Sequence, residues 1–522
     1  MTTITAAPTS TSPPTIPRPA RPGDTPLAGP AVAALAQRLR AGLAAVGADR
    51  ADTGPDDHPD TAGELLERFV RHVGSGDAPG EDLWLLLTLV AGAFPDAATV
   101  ERVRRRLRVS TGAAAETAVL DAVLPALAAG RRDAHAVVLR DEVVVDVDFC
   151  ATNEHHTGIQ RVVRETLPHW RRRHPLRLVA WWPDRAGYRL LDLPEQERVL
   201  EWGTRTPSGE VTAPQPQALV VPYRCRLVLP ETPDPSRAGP LVAIARYGGG
   251  RVSMIGYDCI PLVSPELVHP GLPDRFVQYL GIVKHADAVA GISESATTEF
   301  AGFRDMLAAQ GLPGPQVRPV VLPAEVAHGA SPRPADGGQP LVLSIGSFEP
   351  RKNQAAVLVA AEQLWRAGLR FRLRFIGGGG FPTEFDRLVA RARAAGRPVE
   401  VMVRVPERVL RESYADARFT MFVSLHEGYG LPVTESLAHG TPVLTTGYGS
   451  TQEIAAAGGC VSVDPRDPDA VAGAMRQLLT DDALVARLRA EAAARASRTW
   501  RDYADDLWRV LVVDPATTGP GR

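Results

Sequence analysis

The chain has 522 residues, which is too long for one ordinary domain and, at roughly 150 residues per domain, predicts about three. Hydrophobic residues make up 44% and charged residues 23% of it, a composition that is typical of soluble globular proteins and excludes wholesale disorder. The 58 Lys and Arg residues nearly balance 60 Asp and Glu residues, and the net charge of −2 excludes a global basic field that would recruit nucleic acid.

Cysteine use and hydropathy bear on the location of the protein. Its four cysteines share no CxxC spacing, which fits neither a zinc ribbon nor a disulfide scaffold and suits a reducing cytosol. The longest apolar run, Leu83–Phe94, is shorter than the about 20 residues that a membrane span needs. The N-terminus lacks the basic segment and apolar core of a signal peptide. We expect a cytoplasmic protein that at most contacts the inner face of a membrane peripherally.

Two segments precede the first strand pattern. Residues 1–30 are mostly Thr, Pro, Ala and Gly, which cannot offset the entropy of ordering, so a disordered tail is expected. Residues 31–135 are predicted to form a helical accessory region, and they carry no motif with recognisable chemistry. The predicted helices are Ala31–Leu43, Thr61–Val73, Asp82–Phe94, Ala98–Val109 and Ala114–Leu127.

Short β-branched runs alternate with helical stretches from Val143 onwards. This alternation predicts a first Rossmann-like domain over residues 136–330, with a parallel sheet covered on both faces. A helix is predicted at Ile159–Trp170. The predicted strands are Val143–Val147, Leu178–Trp182, Ala218–Val221, Leu241–Ala245, Val252–Ile255 and Ala288–Ile292.

A linker rich in Pro and Gly, between Pro332 and Pro340, separates this domain from a second one over residues 338–497. The alternation restarts there with the predicted strand Leu341–Ile345. The predicted fold class is therefore α/β, with two doubly wound domains that face each other across a cleft. Such folds bind ligands at the carboxyl ends of their strands.

The most informative motif is H-E-G-Y-G-L-P-V-T-E-S over residues 426–436. Two carboxylates, Glu427 and Glu435, flank a turn in which Gly428 and Gly430 let the backbone approach a ligand, and Pro432 sets the entry to a short helix. A helix N-terminus that faces a cleft attracts phosphate, and a nearby carboxylate can accept hydrogen bonds from two adjacent ribose hydroxyls. Taken alone, the pattern also fits a solvated loop acid and an acid that complements the helix dipole.

A second motif, G-S-F-E-P-R-K-N, covers residues 346–353 and directly follows the strand Leu341–Ile345. Its adjacent cations, Arg351 and Lys352, would lie at the carboxyl edge of the sheet, where they can neutralise a diphosphate. The alternative is a solvated helix start, which is unattractive because cations at a helix N-terminus oppose its dipole. Lys284 is the only other lysine among the 58 basic residues, which makes Lys352 notable.

These motifs, in this order, resemble those of the retaining nucleotide-sugar glycosyltransferases of family 4, the glycosyl transferases group 1. The resemblance covers about residues 143–511 and is patchier before the linker. It implies two Rossmann-like domains of the GT-B type and a reaction that needs no metal or other cofactor. The catalytic residues that it implies are Glu427 and Asp258. The donor-binding residues that it implies are Arg351, Lys352, Glu435, Gly158, Gly346, Gly430 and Leu431.

The N-terminal domain carries shorter signals. Gly158 follows a strand and opens a helix, and the resemblance implies that it admits the donor diphosphate, although a plain helix start is the alternative. Asp258 ends another strand, where relatives often have a His-Asp pair and this chain has Tyr257; a turn-forming Asp is the alternative. Asp146 and Asp148 form a D-x-D, which binds a metal in other transferases, but the resemblance to a metal-independent fold favours a structural role.

The favoured function is transfer of a hexosyl unit, mannose-like by the E-P-R-K-N stretch, from a nucleoside-diphosphate sugar to a saccharide or lipid-linked acceptor. Polysaccharide or glycoconjugate biosynthesis would be its setting, and nucleic acid is not an expected partner. The alternative is a nucleotide-sugar-binding scaffold or inactive relative that acts through its helical region. A pyridoxal-phosphate phosphorylase of the same fold is disfavoured, because only two lysines could form its Schiff base.

The last predicted helix, residues 498–512, has an apolar and aromatic face formed by residues three and four apart, including Trp500 and Trp508. In similar two-domain transferases the last helix crosses the cleft and packs on the N-terminal domain. We expect the same crossing here, with both tryptophans buried. A helix that packs only on its own domain is the alternative.

Overall fold

The structure is a computed structural model. It describes residues 29–48, 61–75, 78–129, 133–184, 187–204, 218–325, 338–379, 384–496 and 498–513. Residues 1–28 of the predicted tail lie outside the described residues, and so do residues 332–337 of the predicted linker.

The helical region packs onto the N-terminal sheet as part of one core. Its helices are α1 (Gly29–Val46), α2 (Ala62–Val73), α3 (Gly80–Ala91), α4 (Ala97–Leu107) and α5 (Ala113–Ala129). Thr61 and Glu64 form a capping box that begins α2. Directly after α3, the Phe94 ring packs edge-on against Trp181 and Tyr188 of the sheet. The region is therefore a layer of the first domain, and most of its apolar side chains pack inside the chain, whereas Leu120 and Leu124 of α5 are exposed.

The N-terminal sheet is mixed. Its strands are β1 (Ala136–Arg140), β2 (Val143–Asp146), β3 (Arg177–Trp181), β4 (Tyr188–Leu190), β5 (Leu219–Tyr223), β6 (Arg226–Leu229), β7 (Arg251–Gly256), β8 (Ala288–Gly291) and β9 (Gln316–Pro319). Their order is β1-β5-β4-β3-β2-β6-β7-β8-β9. Only β4 runs against its neighbours, antiparallel to β3 and β5 among the described strands, so the expectation of a fully parallel sheet is wrong at this strand.

Helices connect the strands of this domain. They are α6 (Asp148–Thr152), α7 (Gly158–Arg173), α8 (Leu193–Leu200), α9 (Ala238–Tyr247), α10 (Ile260–Val263), α11 (Leu272–Val283) and α12 (Glu294–Ala308). The predicted strand Leu241–Ala245 is wrong, because it lies inside α9. Leu241, Ile244 and Tyr247 are buried there at helical spacing, and a short apolar run fits a buried helix as well as a strand.

The C-terminal sheet is parallel throughout. Its strands are β10 (Leu341–Ile345), β11 (Arg372–Gly377), β12 (Val399–Val403), β13 (Phe419–Phe422), β14 (Val443–Thr446) and β15 (Cys460–Val463), in the order β12-β11-β10-β13-β14-β15. Its helices are α13 (Gln354–Arg366), α14 (Glu384–Ala394), α15 (Glu407–Asp416), α16 (Leu431–Ala438), α17 (Gly449–Ala455), α18 (Pro468–Thr480) and α19 (Asp482–Ala493). Together the two sheets form the expected pair of α/β domains.

The last helix, α20 (Trp500–Leu511), packs against α7 of the N-terminal domain. The Trp170 indole N–H donates to the Ala504 carbonyl at 2.8 Å, and the rings of Trp508 and His174 stack 3.8 Å apart. Trp500 and Trp508 are both buried. The chain thus returns to its first domain after completing the second. Within the described residues, no helix has the length and apolar character needed to cross a bilayer.

Candidate active site between the two sheets

The candidate site lies where the carboxyl edges of the two sheets face each other. The strands β10 and β13 are neighbours, and the chain winds away from them in opposite directions, which makes their ends a topological switch point. The two motifs follow these strands. Across the cleft, Tyr257 and Asp258 follow β7. A Cβ added at Gly428 would lie 2.5 Å from the Tyr257 carbonyl oxygen, so the domains are in close contact here.

Glu427 forms an ionic cluster with the two predicted cations. Lys352 Nζ lies 2.6 Å from Glu427 Oε1, and Arg351 Nη1 lies 3.2 Å from Glu427 Oε2. Arg351 also donates through Nε to Glu349 at 2.9 Å. The side chains of Glu427 and Lys352 are only 9% and 11% exposed, so their charges interact in a weakly screened environment. Arg351 and Lys352 are therefore not the solvated start of a helix, which was the alternative interpretation of their motif.

Burial and charge act in opposite directions in this cluster. Burial acts to raise the pKa of Glu427, but the neighbouring Lys352 and Arg351 lower it below its usual value. Burial lowers the pKa of Lys352, whereas Glu427 and Glu349 raise the pKa of Arg351 against the effect of burial. Glu427 is therefore held as a carboxylate, which accepts hydrogen bonds and has no proton to donate.

The backbone holds the two motif loops against each other. Residues Pro350–Lys352 form a 3₁₀ turn, and Asn353 ends it with a left-handed φ of 55°. The Asn353 side-chain amide donates to the Val423 carbonyl at 3.2 Å, and the Leu425 amide donates to the Arg351 carbonyl at 2.7 Å. Gly346 has φ 144°, a conformation that side chains rarely adopt. The placement of the cations is thus fixed by both strand ends.

Asp258 lines an open pocket of about 610 Å³ together with Arg351 and Glu349. Burial raises the pKa of Asp258, although the nearby Arg351 acts to lower it. Its Oδ1 accepts a hydrogen bond from the Ile260 amide at 3.1 Å. The remaining wall of the pocket is mainly apolar. The residues of that wall are Ile260, Pro261, Leu267, Val268, His269 and Leu272.

Glu435 lies one helical turn inside α16 and is bound from both domains. The Tyr414 hydroxyl donates to Glu435 Oε2 at 2.7 Å, and the Arg161 guanidinium donates to Oε1 from the first turn of α7. The N-termini of these two helices meet, since a Cβ added at Gly158 would lie 3.4 Å from the Leu431 side chain. Sequence reasoning missed Arg161. Its signal was a cation in the first turn of a helix, where the dipole opposes it.

A second cross-domain contact surrounds His426, which sequence reasoning also missed. Its Nε2 lies 2.7 Å from Glu299 Oε1, and its Nδ1 lies 2.9 Å from Ser264 Oγ. The hydrogen bond to Glu299 raises the pKa of His426. Glu299 also accepts from the Cys259 amide at 2.6 Å, next to Asp258. His426 therefore links the motif of residues 426–436, which we call the glutamate motif, to the strand end that carries Asp258.

The D-x-D pair is used inside the N-terminal domain. Asp146 Oδ2 accepts from the Trp181 indole at 2.8 Å and from the Tyr188 hydroxyl at 3.0 Å. Asp148 accepts from the Trp181 amide at 2.7 Å and from Arg237 at 2.6 Å. Burial raises the pKa of Asp146 to about 6. Among the described residues, no group of three or more His, Cys, Asp or Glu side chains has a geometry suited to a metal ion.

Residues 331–495 match the sequence profile of the glycosyl transferases group 1 family, and both motifs lie inside this range. The C-terminal domain belongs to this family. The family resemblance stated from the motifs is thereby confirmed for this part of the chain.

Curated relatives match the chain over limited stretches. The chain is 34% identical over 146 residues to O-antigen chain mannosyltransferase B of Escherichia coli. The aligned stretch covers 28% of this chain and 38% of that protein. The chain is also 34% identical over 236 residues to D-inositol 3-phosphate glycosyltransferase of Acidothermus cellulolyticus. That alignment covers 42% of this chain and 52% of that protein. The chain thus spans less than two thirds of these relatives.

Among solved structures, HepE of Anabaena in complex with UDP-glucose aligns at a TM-score of 0.48 and 13% identity, over 70% of this chain and 99% of that one. Sucrose-phosphate synthase of Thermosynechococcus elongatus aligns at a TM-score of 0.47 and 15% identity, over 71% of this chain and 96% of that one.

Proposed function

We propose that this chain is a retaining glycosyltransferase that moves a hexosyl unit from a nucleoside-diphosphate sugar to an acceptor hydroxyl. The observation that carries the proposal is the cluster of Glu427, Arg351 and Lys352 at the switch point of a domain that belongs to the glycosyl transferases group 1 family. At that position the two cations can bind a leaving diphosphate while the carboxylate accepts hydrogen bonds from the sugar.

In the proposed site, Arg351 and Lys352 bind the diphosphate, which gains negative charge as it leaves. Preorganised cations at that point lower the barrier because they are stronger partners of the transition state than of the ground state. Glu427 accepts hydrogen bonds from the transferred sugar, and Glu435 accepts them from the donor ribose. The backbone at Gly158, Gly346, Gly430 and Leu431 approaches the phosphates, as glycines and a helix N-terminus allow.

The proposed chemistry takes place on one face of the sugar. The bond between the anomeric carbon and the diphosphate oxygen breaks, the acceptor oxygen bonds to the same face, and the leaving phosphate takes the acceptor proton. Asp258 would lie beside the incoming hydroxyl, since it shares the pocket with Arg351. None of these steps needs a metal ion, because Arg351 and Lys352 supply the positive charge.

The donor and acceptor are proposed more narrowly from two further observations. The E-P-R-K-N motif and the mannosyltransferases among the relatives favour a mannose-like donor such as GDP-mannose. The mainly apolar pocket wall favours a lipid-linked acceptor over a free saccharide. Leu262, Val263 and Leu272 expose apolar surface around this pocket and would suit peripheral contact with a membrane. The setting would be polysaccharide or glycoconjugate biosynthesis.

The test is release of nucleoside diphosphate from a panel of sugar nucleotides by the purified full chain, with alkyl glycosides and free saccharides as acceptors. Lys352→Ala and Glu427→Ala should each lower turnover by about 100-fold. Lys284→Ala is the matched control and should keep wild-type turnover. Undiminished turnover in both site variants would overturn the proposal. Nucleotide binding without turnover on any acceptor would favour the scaffold alternative.

A further inference from the structure

The most informative contact that the sequence motifs did not predict is the ion pair between Arg161 and Glu435. It joins the first turn of α7 in one domain to α16 in the other. The two side chains are only 20% and 13% exposed. Since the Tyr414 hydroxyl donates to the second carboxylate oxygen, both oxygens of Glu435 have a partner within the protein.

The position of Arg161 is costly for its own helix. A cation in the first turn of α7 opposes the helix dipole, and Glu435 provides the compensating negative charge. The approach is close, because the starts of α7 and α16 meet at Gly158 and Leu431. The guanidinium therefore lies on the carboxylate to which the proposed function assigns the donor ribose.

We propose that Arg161 is a positioning residue that competes with the nucleotide ribose for Glu435. The inference rests on the proposed function, which places the ribose hydroxyls on this carboxylate. A nucleotide that binds there exchanges the guanidinium for its hydroxyls at Glu435 Oε1. Part of the free energy of the new hydrogen bonds is then offset by the loss of the ion pair, so Arg161 sets how strongly the ribose contributes to affinity.

The experiment measures how much one ribose hydroxyl contributes to nucleotide affinity, in the presence and in the absence of the Arg161 side chain. Calorimetry gives the Kd of GDP or UDP, whichever the wild type binds more tightly, and the Kd of its 2′-deoxy form. The Kd ratio of the deoxy to the ribo form should be about tenfold larger in Arg161→Gln than in the wild type, since a hydrogen bond to a free carboxylate is then formed without displacement. Any effect of the lost charge on the diphosphate cancels in this ratio.

Arg173→Gln is the matched control. Arg173 lies on the same helix and pairs with Asp505 of α20, away from Glu435. The Kd ratio of the deoxy to the ribo form in Arg173→Gln should therefore equal that of the wild type. If the glutamine variant does not fold, Arg161→Lys carries the test. It keeps the positive charge without the planar fork and should enlarge the ratio less.

The outcomes separate the two proposals. A ratio that is unchanged or smaller without Arg161 overturns the competition, because Arg161 then ignores the ribose or assists its binding. A wild-type protein that binds none of the sugar nucleotides or nucleoside diphosphates overturns the proposed function itself.

Discussion

At the scale of single residues, Gly428 controls how closely the glutamate motif approaches the N-terminal domain. A Cβ at this position would lie 2.5 Å from the Tyr257 carbonyl oxygen and 3.0 Å from Asp258 Oδ2. Because a backbone oxygen cannot rotate away, Gly428→Ala should push the loop and the opposite strand end apart. A displacement of about 1 Å at reacting groups can lower turnover by roughly 100-fold. We expect a loss of that size in sugar-nucleotide turnover.

The control for this variant is Gly302→Ala. A Cβ at Gly302 meets nothing within 4 Å, and the residue lies in α12, where alanine is preferred over glycine. This control should keep wild-type turnover and melt at the same or a slightly higher temperature. Wild-type turnover in Gly428→Ala would show that the close approach to Tyr257 is not needed.

The position of the two motifs at the sheet edge could be predicted from the sequence because each motif follows a strand. Their partners could not. Arg161 and Glu299 reach Glu435 and His426 from the other domain, and the relative placement of two domains is not encoded in local periodicity. The sequence also predicted that Arg351 and Lys352 would bind phosphate but not that both contact Glu427, because these contacts join two loops of one domain that are 76 and 75 residues apart in the chain.

At the scale of elements, prediction failed where a segment was short. The strand β4 has three residues, and β1 is a five-residue strand with two exposed positions, so neither shows enough alternation to be recognised. The run Leu241–Ala245 was wrong for a related reason, since five apolar residues fit either element. Helices with clear periodicity, such as α2 and α7, were predicted to within a few residues at each end.

The helical region is held to the first sheet by a buried arginine, which makes it an integral layer. Arg38 of α1 is 2% exposed, and it donates to the carbonyls of Leu89, at the end of α3, and Ala134, just before β1. Burial lowers its pKa to about 10. Arg38→Met should lower the free energy of unfolding by about 3 kcal/mol, because it leaves buried carbonyls without these donors.

Thermal or urea unfolding followed by circular dichroism would measure this change. The control Arg40→Ala replaces an exposed arginine of the same helix and should alter stability by less than about 0.5 kcal/mol. An Arg38→Met variant as stable as the wild type would mean that the helical region is not fastened to the sheet through this side chain.

At the scale of the whole molecule, the domains are joined by dispersed polar contacts and by one amphipathic helix. Ser293 Oγ donates to the Gly428 carbonyl at 2.7 Å, and Glu453 accepts from the amides that begin α12. The helix α20 adds an aromatic contact at Trp508. Several of the polar contacts between the domains involve His426, Gly428 or Glu435, so the candidate site lies where the two domains meet.

One of these contacts responds to pH in a predictable direction. The hydrogen bond to Glu299 raises the pKa of His426 above its usual value, and the carboxylates of Asp258 and Glu427 act in the same direction. A raised pKa in the folded protein means that protonation of His426 favours the folded state. The stabilisation is then complete at a pH below the ordinary histidine pKa of about 6.5 and is lost as the pH rises through the raised value.

We therefore expect His426→Gln to destabilise the protein by about 1.5 kcal/mol at acidic pH and by progressively less as the pH rises, since a hydrogen bond between charged partners is being removed. Urea unfolding of the wild type and the variant between about pH 6 and about pH 9 would measure the difference in unfolding free energy. This pH range covers the titration of a histidine whose pKa is raised. His155→Gln makes the same substitution at an exposed histidine and is the matched control. A wild-type advantage that stays constant or grows with pH would contradict the ionic contact, and would leave Ser264 as the partner through which His426 joins the domains.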